Sequence, residues 1–150
     1  MSTIRRFAAI ALILSLTAPL FGCGDDDPTG PSFGGPSIAG EWIGTFRDAN
    51  VTMSLRQSGD QVTGTVTHGR QNYDLTGTID ETGVFRWGAT DTLPTVCRSM
   101  SSSLGDFTLE SRGTEMSGAV RKATRNGPPD DPCSNSRTLV EQGTMELEKL

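Results

Sequence analysis

Hydrophobic and polar residues alternate with a period of two through most of this chain. Trp42 and Phe46 fall on one parity with Gly44 between them; Val51, Met53 and Leu55 are interleaved with Thr52, Ser54 and Arg56; Val62 and Val66 are interleaved with Thr63, Thr65 and Thr67. The same pattern runs through Tyr73, Leu75 and Ile79, then Phe85 and Trp87, Phe107 and Leu109, Met116 and Val120, and Met145 and Leu147. A strand turns successive side chains to opposite faces, so each run predicts a half-buried β-strand. Turn signals separate several of them: Ser58-Gly59-Asp60, Glu81-Thr82-Gly83, Leu104-Gly105-Asp106 and Arg112-Gly113-Thr114. No apolar stripe of helical period runs for a helix's length beyond the N-terminal segment. The pattern predicts an all-β domain, an antiparallel up-and-down meander of about eight strands closing into a small barrel, since closure removes the exposed edges.

A weak repeat supports the barrel. Val62-Thr63-Gly64-Thr65-Val66, Leu75-Thr76-Gly77-Thr78-Ile79 and Met116-Ser117-Gly118-Ala119-Val120 share the order apolar, hydroxyl, glycine, small, apolar. Each glycine takes the apolar parity. Glycine inside a strand marks a sharp coil of the sheet or room for a large neighbour. Gly64, Gly77 and Gly118 are therefore expected to thin one interior wall and leave space for a ligand.

The first 22 residues have a different character. Arg5 and Arg6 precede the apolar run from Phe7 to Leu16, and Pro19 and small residues lead to Leu20-Phe21-Gly22-Cys23. This layout is that of a secretory signal peptide, and the segment is too short to span a bilayer. The ending resembles that of bacterial lipoprotein precursors, with Leu20 three residues before the cysteine and Gly22 immediately before it. The resemblance implies cleavage before Cys23, lipidation of Cys23, and a place in the bacterial cell envelope, lipid-anchored at the periplasmic face or the outer membrane. Residues 23–37 are rich in Asp, Gly, Pro, Ser and Thr and are expected to form a disordered tether, leaving 38–150 as the barrel domain.

Gly40-Glu41-Trp42 at the start of the first strand is similar to the opening of the calycins, which include lipocalins, fatty-acid-binding proteins and avidin. That resemblance implies an up-and-down barrel with Trp42 packed across its closed end against a basic residue of the last strand, for which Lys149 is the nearest match. It also implies a small, largely apolar ligand at the open end. The residues expected to border that ligand are Trp42, His68, Tyr73, Gly77 and Trp87.

Charge and chemistry narrow the function further. The chain has 13 basic and 18 acidic residues, and loss of Arg5 and Arg6 with the signal segment leaves 11 against 18, with the remaining arginines scattered along the chain, which argues against a nucleic-acid partner. Cys97 and Cys133 form an even pair once Cys23 is assigned to lipid, so a disulfide is expected in an oxidising compartment. Two thiols and the lone histidine, His68, fall short of a zinc site. No serine elbow accompanies His68, and Asp74, Asp80, Asp106 and Glu110 read as surface carboxylates, so neither catalysis nor a cofactor is expected. Two classes remain. One is a binding protein with a barrel pocket. The other is an envelope interaction module with a filled core, whose irregular loops, Asp91 to Cys97 and Arg125 to Arg137, face another protein.

Replacing Cys23 with Ser is expected to release the protein from the membrane fraction. Fractionation of cells carrying either form checks this, and undiminished membrane association of the variant refutes acylation at Cys23.

Overall fold

A computed structural model describes residues 34–102, 107–109, 113–134 and 137–150. Cys23, Asp106 and Glu110 lie outside the described residues. The strands are β1 (Gly40–Phe46), β2 (Ala49–Ser58), β3 (Gln61–His68), β4 (Gln71–Ile79), β5 (Val84–Leu93), β6 (Val96–Ser102), β7 (Phe107–Leu109), β8 (Glu115–Asn126) and β9 (Arg137–Lys149). All pairings are antiparallel, and β9 returns to pair with β1 so that the sheet closes. β6 and β7 both lie between β5 and β8, one after the other, and together make one stave. The nine strands thus form the eight-staved meander that the alternation implies.

Tight turns hold the register. Gly59-Asp60 and Gly69-Arg70 are two-residue hairpin loops whose glycines have φ of 61° and 62°, a left-handed conformation that disfavours side chains. The ladder is steeply staggered. Starting from Gly40 near the beginning of β1, successive partners are Leu55, Gly64, Leu75, Ala89, Met100, Lys122 and Glu141, which lies toward the opposite end of the barrel. Such a stagger tilts the strands and sets the barrel's width.

The alternating apolar residues fill the interior, with Trp42, Phe46, Tyr73, Phe85 and Phe107 the largest side chains fully withdrawn from solvent. Trp42 sits at the closed end, its indole N–H donating to the Ile38 carbonyl at 2.8 Å. The Lys149 ammonium lies 5.6 Å from the centre of its ring, within cation–π range.

Gly64 and Gly77 do not serve the purpose expected of them. A Cβ built on Gly64 would run into the Ser54 carbonyl, and one on Gly77 would strike the Arg86 carbonyl, with Phe85 Cε2 at 2.8 Å and the Trp87 Cβ at 2.9 Å. Gly44 meets the Glu146 carbonyl in the same way. These positions are bare because a neighbouring strand presses against them. No space is left there for a ligand.

Two segments expected as irregular loops differ as well. Asp91 to Cys97 is a tight hairpin between β5 and β6, with Asp91 opposite Arg98 and Leu93 opposite Val96. β6 escaped the apolar alternation because its inward positions include Arg98 and Ser102, while its outward Cys97 is buried. Of Arg125 to Arg137, both ends belong to strands, and the irregular connection begins at Gly127. That connection is fastened to the β5–β6 hairpin twice, by the Cys97–Cys133 disulfide and by the Gly127 N–H donating to the Thr95 carbonyl at 3.1 Å.

The disulfide joins residues 36 apart in sequence, so by loop entropy its removal as a Cys97→Ser, Cys133→Ser double variant should lower stability by roughly 3 to 4 kcal/mol. Gly77→Ala should lower it by roughly 1 to 3 kcal/mol through overpacking. Denaturant titration checks both, and an unchanged midpoint for Gly77→Ala contradicts the close approach of strands there.

Candidate functional site

The end of the barrel opposite Trp42 is where the interior changes character. Continuing each strand's inward parity past its last apolar residue gives His68 on β3, Gln71 on β4, Asp91 on β5, Arg98 on β6, Lys122 on β8 and Glu141 on β9. Five consecutive staves and His68's own therefore carry a polar side chain above an apolar floor of Phe46, Val51, Tyr73, Met100 and Val120.

Lys122 is the centre of this layer. It is 8 % exposed and is the one charged residue among the buried set of the described residues. Its strand stands across the barrel from β3, and its ammonium donates to His68 Nδ1 at 3.1 Å. On its own side it lies 3.8 Å from Glu141 Oε2. Arg98 pairs with Asp91 at 3.0 Å, also partly withdrawn from water. The Tyr73 hydroxyl donates to Gln71 Oε1 at 2.6 Å. The His68 and Phe46 rings pack steeply inclined to one another, their centres 5.5 Å apart.

The titrations follow from this setting. Burial lowers the Lys122 pKa; Arg98 adds to that effect and Glu141 opposes it. Burial likewise lowers His68, assisted by Lys122 and opposed by the Phe46 backbone and Glu141. The imidazole is therefore neutral at pH 7, with Nδ1 accepting from the ammonium and the hydrogen on Nε2. Tyr73 is pushed up to about 12, chiefly by burial, with Asp91 and Glu141 acting in the same sense and Arg98 against it.

The five residues expected to border a ligand are divided between the two halves of the barrel. His68 and Tyr73 belong to the polar open end. Trp42 lies at the closed end under Lys149, and Trp87 packs against Phe107 with ring centres 5.5 Å apart and is paired across the ladder with Gly77. Lys122, Glu141, Arg98, Asp91 and Gln71 were not singled out by apolar alternation. The available signal was parity alone, carried beyond the last apolar residue of each strand. Among the surface carboxylates, Asp80 is occupied in a turn, accepting from the Thr82 hydroxyl and the Val84 N–H. Two depressions mark the outer wall: one of about 530 Å³ bordered by Ile43, Thr45, Glu115, Ser117, Glu146 and Glu148, the other of about 800 Å³ along Thr65, Asn72, Asp74, Thr76 and Thr90.

Tyr73 is the chain's single tyrosine, so phenolate absorbance reports it alone. Its midpoint in the folded protein should lie near 12, well above the value of about 10 for a free phenol. A raised folded-state pKa means that the native state holds the proton longer than the unfolded chain. The associated stability is present below pH 10 or so and is lost as pH climbs toward 12. A folded-state midpoint near 10 would contradict the placement of Tyr73 beneath the polar layer.

No protein-family model and no curated protein sequence matches this chain. Two solved structures similar to it are a rhizavidin–biotin complex, at 15 % identity and a TM-score of 0.49, covering 75 % of this chain and 99 % of that one, and Xenavidin, at 16 % identity and a TM-score of 0.49, covering 76 % and 97 %.

Proposed function

We propose that this is a lipid-anchored binding protein of the bacterial cell envelope that takes a small ligand into the open end of its barrel. Leu20-Phe21-Gly22-Cys23 supports the anchor, and the residues that follow supply the tether. The observation that carries the binding reading is the inward polar layer of His68, Gln71, Asp91, Arg98, Lys122 and Glu141 above a closed apolar floor. Burying a lysine costs stability unless its partners compensate, and apolar side chains would close the barrel mouth more cheaply. A polar layer at that position is what a ligand with hydrogen-bonding groups requires. The largely apolar ligand expected from the calycin resemblance gives way to an amphipathic one, because aromatic side chains already occupy the lower half and polar atoms face the entrance. Its ring or chain would rest toward Phe46 and Met100, with its polar group among Lys122, His68 and Glu141.

The interaction-module reading retains one supporting observation. Leu139, 64 % exposed, and Leu93 stand at the rim as uncovered apolar side chains, features of a surface that meets a partner.

Benzamide, a planar ring bearing one amide, is a suitable first probe. His68 is the only histidine, so its imidazole resonances report the barrel mouth directly. Titration of the full chain with benzamide should shift those resonances saturably, and Glu141→Leu should weaken binding. Resonances that do not move throughout the titration would turn the assignment to the interaction module.

A further inference from the structure

Lys122 and Lys149 are the only lysines among the chain's 13 basic residues. Arginine serves wherever a surface cation is needed, and each lysine lies at one end of the barrel. Lys149 is set over the Trp42 ring at the closed end. Lys122 is enclosed at the open end, against an imidazole on one side and a carboxylate on the other. A plain positive charge in that position could equally have been arginine, whose charge is permanent. Lysine differs in one chemical respect: its nitrogen can lose a proton and become a nucleophile.

We infer that Lys122 captures a small aldehyde or ketone as a reversible Schiff base, with His68 carrying the proton and Glu141 balancing the charge of the product. This deepens the binding reading above and rests on it. The Lys122 ammonium gives a proton to His68 Nδ1, 3.1 Å away. The free amine adds to the carbonyl carbon; a C–N bond forms as the carbonyl π pair moves to oxygen, and a proton passes from nitrogen to that oxygen to give a neutral carbinolamine. The imidazolium then returns its proton to the carbinolamine hydroxyl. The C–O bond breaks, water leaves, and the nitrogen lone pair completes the C=N bond. One ammonium and one carbonyl give one iminium and one water, with no oxidant or reductant. The iminium keeps the single positive charge beside Glu141, whose Oε2 lies 3.8 Å from the same nitrogen. Exclusion of water from Lys122 favours the free amine, the direction in which burial already moves its titration.

The test uses the full chain with benzaldehyde and cyanoborohydride, which reduces an iminium to a stable benzyl amine. Peptide mapping should place one benzyl group on Lys122 while Lys149 and the N-terminal residue remain unmodified. His68→Gln should slow trapping roughly a hundredfold, and Lys122→Arg should abolish it. Benzamide has nearly the shape of benzaldehyde but forms no imine, so it separates the two claims. Saturable benzamide binding without an adduct on Lys122 overturns the carbonyl inference and leaves the binding reading standing. Absence of both overturns both. Equal labelling of Lys122 and Lys149 overturns the assignment of a special reactivity to Lys122, and trapping that is undiminished by His68→Gln removes His68 from the proton path.

Discussion

Pairing of the first strand with the last is the constraint on which the rest of this structure depends. The contact runs from Trp42 opposite Lys149 to Phe46 opposite Met145 and leaves no stave of the barrel with a free edge. To reach it the sheet must coil tightly, and bare glycines at positions 44, 64 and 77 allow neighbouring backbones to approach where any Cβ would collide. The same closure brings Lys149 over Trp42 and seals one end. It also gathers residues distant in sequence, His68, Lys122 and Glu141, at the other end.

The lower half of the barrel was legible in the chain because burial there is apolar, and apolar alternation is the signal that marks a strand. Trp42, Met53, Val66, Leu75 and Phe85 all turned inward as their parity required. The Cys97–Cys133 bridge was legible from counting alone. The polar end was not, for the same physical reason that makes it chemically useful. His68, Arg98, Lys122 and Glu141 face inward, yet in sequence they look like surface residues, because hydrophobicity stops tracking direction once the interior turns polar. The missed strand β6 failed in that way at Arg98 and Ser102.

The glycines teach a complementary point. An inward glycine in a strand has two physical meanings, an empty volume or an approaching backbone, and no local pattern distinguishes them. The distinction depends on the neighbouring strand, as the Gly77 position shows: its crowding comes from Phe85, Arg86 and Trp87, residues of the strand beside it.

Closure by the terminal strands also shapes how the molecule reaches its fold. β1 cannot find its second partner until β9 has been made, roughly a hundred residues later by its place in the chain, and long-range pairings of this kind form slowly. For that interval the growing meander has open edges. The threonines and serines that occupy the outward parity keep the chain from 38 to 150 free of any run of more than two apolar residues. Short apolar runs interrupted by hydroxyls are poor nuclei for intermolecular sheets. The residues that face solvent in the finished barrel are thus the ones that guard the unfinished one.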